Sequence, residues 1–383
     1  SQNLFDDITF PSNTGYVYNE SGWFGGGVSM IDFDKDGHID ILASTYFGEP
    51  IKIFRNNEDN TFIELSNNIG FTSEFAESKM ILGADYDNDG DRDFFIANVE
   101  LTSKLYNNNG DNYFYDVTDD AGFSMVGYSS RAACWFDYNN DSYLDLYITN
   151  NEYYEPNIFY KNNGDGTFEN LTEEANLSGN EQKAPLAVVA FDYNNDGYVD
   201  IYIGNDKNEG NNLYRNNGDG TFSDVSESSG SGIFIESMGV SVADYNNDGW
   251  FDIYITNTVQ GNVLLKNNGG SFVDVSDEAG VKGNKVFWGT IFIDYDNDGY
   301  EDIFACSACD VPMYCNGNGP DDINMLFQNN GDGTFTDKTF VSGILDNYKS
   351  YGVARGDVNN DGFDDIYIVN EVQLSQLYLN NTN

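Results

Sequence analysis

The sequence predicts an all-β chain: a seven-bladed β-propeller of four-stranded antiparallel blades, its ring closed when the N-terminal strand completes the last blade. Three observations carry this expectation. An acidic nine-residue loop recurs seven times, at intervals of 53, 52, 55, 52, 50 and 63 residues. Each copy is embedded in the same series of short apolar runs and Asn-Gly or Asp-Gly turns, four runs to a unit, and four strands per repeat of this length is the mark of a propeller blade. The last unit stops three runs in, at Gln376-Leu377-Tyr378-Leu379-Asn380, while Asn3-Leu4-Phe5-Asp6-Asp7-Ile8-Thr9 at the other end matches the fourth run Phe114-Tyr115-Asp116-Val117-Thr118. One domain over residues 1–383 is expected.

Within a unit the elements follow in a fixed order. A first strand leads into the acidic loop, as in Val28-Ser29-Met30-Ile31 and Val188-Val189-Ala190-Phe191. A β-rich apolar run follows, as in Ile201-Tyr202-Ile203 and Ile366-Tyr367-Ile368. The third strand, for example Asn212-Leu213-Tyr214-Arg215, ends in an Asn-Asn-Gly-Asp-Gly-Thr turn, whose glycines supply the positive φ that tight hairpins demand. A fourth strand such as Phe222-Ser223-Asp224-Val225 closes the unit. Strands are short, four per unit, and no helical period competes.

The loops carry the first candidate chemistry. Oxygen side chains stand at positions 1, 3, 5 and 9, and the carbonyl of position 7 can complete a cage, which suits a hard cation taking six to eight oxygens, calcium above all. The sets are Asp32, Asp34, Asp36, Asp40 with His38 at position 7; Asp85, Asp87, Asp89, Asp93 with Asp91; and Asp137, Asn139, Asp141, Asp145 with Tyr143. They continue as Asp192, Asn194, Asp196, Asp200 with Tyr198, and Asp244, Asn246, Asp248, Asp252 with Trp250. The last two are Asp294, Asp296, Asp298, Asp302 with Tyr300, and Asp357, Asn359, Asp361, Asp365 with Phe363. Up to seven calcium ions, one per blade, are expected. These are not EF-hands, because position 12 is Ala43, Ile96 or Ile148 where an EF-hand needs a bidentate Glu. Ser142 replaces the position-6 glycine of the third loop, which should be the weakest site.

A net charge of −47 exceeds what seven divalent ions could offset, so nucleic acid and anionic membranes are excluded as partners over most of the surface. No apolar run is long enough to span a bilayer, so no membrane insertion is expected. No signal peptide is evident, and the start at Ser1 reads as that of a processed or trimmed product. Low-affinity calcium loops suit millimolar calcium outside cells, so a secreted, extracellular or periplasmic monomer is expected.

With these motifs in hand, the chain resembles the FG-GAP/VCBS repeat family, whose members include the integrin α-subunit propellers. The run Asn211 to Val225, N-x-L-Y-x-N-N-G-D-G-T-F-x-D-V, is more similar to the repeats of the cartilage acidic protein and ASPIC/UnbV type. The resemblance covers essentially the whole chain and implies calcium at the loop Asp and Asn residues. A C-terminal segment of the UnbV kind is absent from this sequence.

The second candidate site lies at the face opposite the loops. Six positions before each loop stand Gly26, Lys79, Arg131, Leu186, Met238, Trp288 and Tyr351, which should ring the mouth of the central channel. Lys79, Arg131, Trp288 and Tyr351 form a candidate site for an acidic ligand, with Lys183, Lys285, Lys349 and Arg355 near in sequence. The competing reading is that the bases pair with nearby carboxylates and the aromatic rings pack. Lengths vary most on this face, above all between Cys306 and Asn324.

Catalysis has little to stand on. The lone histidine, His38, excludes Ser-His-Asp and Cys-His chemistry and histidine zinc sites. Cys134 reads as a buried free thiol, and a disulfide from Cys309 or Cys306 to Cys315 is expected to pin the insert, with a three-cysteine metal site as the minor alternative. Trp23 to Gly27 is not a phosphate loop, since no helix or lysine follows. The favoured function is a binding module for an extracellular glycan or protein ligand. The alternatives are a lyase acting on a uronate polysaccharide, with Tyr351 as base and Arg131 and Lys79 neutralising the carboxylate, and a structural or adhesive surface protein.

Overall fold

The computed structural model describes residues 3–18, 26–66, 68–71, 77–99, 101–123, 128–151, 155–179, 183–309, 323–345 and 347–382. They form seven four-stranded antiparallel sheets, each with its strands in meander order. Blade 1 runs Val28–Ile31, Asp40–Ala43, Lys52–Asn56 and Phe62–Glu64 from the axis outward. The innermost strands of blades 2 to 7 are Glu77–Ala84, Ser130–Phe136, Pro185–Phe191, Val240–Ala243, Phe287–Ile293 and Lys349–Gly356. Blade 7 takes its outermost strand from the chain start: Phe5–Asp7 pairs with Gln376–Asn380, Phe5 opposite Asn380 and Asp7 opposite Tyr378. The predicted closure is therefore present.

Apolar side chains alternate to both faces of every sheet, so each blade must be covered on both sides. The result is one buried cluster per interface between neighbouring blades. The aromatic residue at loop position 2 belongs to these clusters. Tyr86 of blade 2 packs with Leu146 and Phe168 of blade 3, and Tyr295 of blade 6 lies 6.1 Å from the Phe5 ring of blade 7. The tyrosines of the second strands are buried with their hydroxyls donated to carbonyl oxygens: Tyr147 to Leu177, Tyr202 to Ser231, Tyr254 to Val281 and Tyr367 to Thr14.

Two features depart from the expected strands and turns. Among the described residues, one-turn helices follow four outermost strands, at Thr9–Ser12, Ser226–Ser229, Ser276–Ala279 and Thr339–Ser342. A single turn is too short to leave a helical period in the sequence. The innermost strands of blades 2, 3, 4, 6 and 7 also carry a register shift at the residues predicted to ring the channel: Lys79, Arg131, Leu186, Trp288 with Gly289, and Tyr351 each fall in the break. A bulge re-aims the side chain it displaces, here toward the axis.

Candidate metal centres and the central cavity

Each acidic loop is a self-capped turn. The position-1 carboxylate accepts the backbone N–H of position 6 at 2.7–3.0 Å in all seven loops. The position-5 carboxylate accepts the N–H of position 7, as Asp36 does from His38 at 3.0 Å. Position 4 takes the left-handed conformation in every loop, with φ between 53 and 60°. Asparagine tolerates this well, and it stands there in all but the first loop, where Lys35 does.

The position-9 aspartates do more than the spacing foretold. Asp40, Asp93, Asp145, Asp200, Asp252, Asp302 and Asp365 are buried, and each opens a second strand. One carboxylate oxygen accepts the N–H of the asparagine that ends the third strand, at 2.7–2.9 Å. In six loops the other accepts the position-2 N–H, at 2.9–3.2 Å. Burial pushes these carboxyls up, to about 7 for Asp40, Asp145, Asp200, Asp252 and Asp365 and to about 8 for Asp93 and Asp302.

By position in the sequence the asparagines that end the third strands are turn residues, yet six of them clamp the ring. Asn56, Asn162, Asn216, Asn267, Asn329 and Asn380 each donate a side-chain N–H to the position-2 carbonyl of the preceding blade, at 2.7–2.8 Å. The loops also join one another. Asn88, Asn140, Asn195, Asn247, Asn297 and Asn360 each donate to the position-6 carbonyl of the next loop, at 2.8–3.1 Å. From loop 1 to loop 2 the link is an ion pair, Lys35 to Asp91 at 2.5 Å. The signal for both sets was present in the recurrence of Asn at fixed places in the repeat.

Three loops bring acidic oxygens close enough to share an ion: Asp32, Asp34 and Asp36; Asp85, Asp87 and Asp93; and Asp294, Asp296 and Asp302, all within 4.8 Å. Asp85 and Asp296 each bury a carboxylate oxygen that has no hydrogen-bond partner. A buried carboxylate oxygen left so is costly unless a cation meets it, and the all-oxygen donor set fits a hard divalent ion.

On the axis, all seven predicted channel residues line one cavity of about 260 Å³. Their side chains differ in what they offer it. Lys79, Trp288 and Tyr351 are 6, 9 and 5 % exposed. The Lys79 ammonium pairs with Glu77 and lies near the Tyr18 hydroxyl at 3.3 Å. Trp288 donates its indole N–H to Ala308 at 2.9 Å, and its ring centroid lies 4.8 Å from that of Tyr351. The Tyr351 hydroxyl donates to Glu371 at 3.3 Å, and Lys349 pairs with the same carboxylate. Arg131 is half-buried at the cavity wall. Much of the expected basic ring is thus satisfied internally, as the competing reading had it. Arg355 belongs elsewhere: it meets Asp364 at 3.1 Å and Glu301 at 3.7 Å, both at loop position 8 on the opposite face.

Cys306 is a free, buried thiol, which overturns a Cys306–Cys315 bridge; the residue points into the core between blades 6 and 7. Cys134 is likewise free, half-buried against the core between blades 3 and 4, and burial raises both thiols. Cys309 packs beside Trp288, while Cys315 and residues 23–25 lie outside the described residues.

A closed ring of repeated four-stranded blades, each bearing one acidic loop, defines a tandem-repeat β-propeller consistent with a recognition module. The chain belongs to the FG-GAP-like repeat family, whose model matches residues 85–148, 137–203, 192–255 and 244–305. It is similar to cartilage acidic protein 1 of Xenopus tropicalis, with 29% identity covering 60% of this chain and 40% of that protein. The chain therefore spans about two fifths of the length of this relative. Among solved structures, BBS1N in complex with ARL6DN has the same fold, with a TM-score of 0.61 at 9% identity over 99% of this chain and 98% of that one. An Agrocybe aegerita lectin, solved for its specific recognition of non-reducing terminal N-acetylglucosamine, gives a TM-score of 0.52 at 18% identity over 91% of this chain and 87% of that one. No helix among the described residues is long and apolar enough to cross a membrane.

Proposed function

We propose that residues 1–383 act as one secreted, calcium-stabilised recognition domain, monomeric, that binds an extracellular glycan or protein ligand on the face opposite the acidic loops. The observation that carries this reading is the division of labour between the two faces. On one, the loops are joined into a belt; on the other, bulges in five blades set Lys79, Arg131, Leu186, Trp288 and Tyr351 on one cavity of about 260 Å³. Arg131 is the candidate anchor for a carboxylate or sulfate, with the Trp288 and Tyr351 rings as an apolar wall. That a lectin shares the fold supports a sugar as one occupant. A Cys309–Cys315 disulfide would pin the insert beside this mouth.

Calcium bound by the loop oxygens would neutralise each cluster and fix the turn between the first two strands, so its binding free energy adds to folding. The test has two arms. Calcium added to chelator-treated protein should raise the melting temperature, and an unchanged melt removes the metal from this reading. A glycan array run on wild type and Arg131→Ala should show binding to acidic glycans that the variant loses. Release of unsaturated uronate from acidic polysaccharides would instead favour a lyase.

A further inference from the structure

In four blades the side chain that precedes the asparagine ending the third strand lies over the acidic loop, and its chemistry differs from blade to blade. In blade 1 it is Arg55, whose Nε donates to Asp34 at 2.5 Å and whose Nη2 donates to Asp36 at 2.9 Å. In blade 5 it is Lys266, 3.5 Å from Asp248. In blades 2 and 6 it is a neutral amide: Asn107 donates to Asp87 at 2.8 Å and to Asp93 at 3.3 Å, and Gln328 donates to Asp296 at 2.6 Å. These two blades are also the ones in which a buried carboxylate oxygen of the loop, on Asp85 or Asp296, has no hydrogen-bond partner.

We propose that this position separates the three loops with four carboxylates: Arg55 neutralises loop 1 from within, and loops 2 and 6 are the high-affinity metal sites. The physical ground is competition for the same oxygens. A guanidinium bonded to Asp34 and Asp36 supplies the charge a metal would supply and holds the lone pairs it would use. To bind there, a divalent ion must break two charge-assisted bonds and sit beside a displaced cation. An amide donates without adding charge, so loops 2 and 6 keep their full negative potential and at least one uncommitted oxygen each. The sequence motif alone ranks loops 1, 2 and 6 together, since all three hold four carboxylates at positions 1, 3, 5 and 9. The third strand separates them.

This inference rests on the calcium reading above, and the experiment distinguishes the two. Calcium titration by calorimetry would be run on the full chain and on Arg55→Gln and Gln328→Arg, each first checked for an unchanged β-sheet spectrum. Terbium-soaked crystals of the same proteins would locate ions by anomalous scattering. Wild type should show peaks in loops 2 and 6 and none in loop 1. Arg55→Gln should gain a tight equivalent and a loop-1 peak. Gln328→Arg should weaken the loop-6 site roughly tenfold or more, the effect of placing a like charge beside the ion. If wild type takes calcium but loop 1 fills as readily as loops 2 and 6, or neither variant changes the tight class, the inference is wrong and the calcium reading stands. If wild type binds no calcium at all, both fall. Asn107→Arg, acting on loop 2, serves should Gln328→Arg fail to fold.

Discussion

Asn360 in the seventh loop donates its side-chain amide to the carbonyl of Gly37 in the first, at 3.1 Å, across 323 residues of sequence. The belt of loops therefore closes at the same seam where Phe5 faces Asn380 in the sheet. The ring is held shut twice, once by strand pairing and once by the loops, and its stability should respond to cuts in either.

Removing residues 1–10 takes away the outermost strand of blade 7, uncovers the core between blades 6 and 7, and breaks the pairing of Tyr378 and Asn380. Calorimetry should show a large fall in melting temperature or loss of a single cooperative transition. The milder Phe5→Ala should cost about 3–5 kcal/mol, as for other fully buried phenylalanines. A truncated chain that melts like the full one would contradict the closure.

The clamp asparagines should matter more than turn residues do. Asn216 donates to Tyr138 of the preceding blade at 2.8 Å and to Val199 at 3.2 Å. Asn216→Ala leaves two carbonyls in a largely dry interface without that donor and should cost about 1–3 kcal/mol. Urea unfolding would register this as a lower midpoint with the slope unchanged.

Ser142 occupies a left-handed backbone position, with φ of 71°, where five other loops shown to be equivalent by spacing and the first alike carry glycine. Ser142→Gly should relieve strain of about 1 kcal/mol, and the bond from Asn88 to its carbonyl would be kept because it uses backbone. A thermal melt that shifts upward is the expected result; a downward shift would mean the serine side chain contributes something that its backbone geometry does not reveal.

For chelator-treated protein the sign of the pH dependence follows from the position-9 aspartates. Burial raises their folded values to about 7 or 8, above the ordinary carboxylate range, so the folded state holds these protons more tightly than the unfolded one. Their contribution to stability is full below the ordinary value near about 4 and is lost as pH rises through the folded values. Melting temperature without metal should therefore fall between about pH 4 and pH 8, and saturating calcium should flatten the slope. A metal-free melt that rises over that window would refute the assignment.

The sequence by itself determined the fold. Short apolar runs in fours, a recurring acidic loop and a strand displaced from one end to the other leave a closed ring as the arrangement that buries both faces of every blade. It also placed the loop oxygens, because their spacing within a nine-residue turn is local geometry. What it could not decide depends on residues brought together from distant parts of the chain. Lys79 reads as a free base until Glu77 and Tyr18 are seen beside it. Arg355 reads as part of the ligand face until it meets Asp364 and Glu301 on the other. Asn216 reads as a turn residue until the preceding blade supplies Tyr138. Arg55, 19 residues beyond Asp36 in the chain, becomes a competitor for a metal only when the third strand folds back over the loop. Charge and hydrogen bonding act over a few ångströms, and which groups come that close is set by the ring, not by the order of residues.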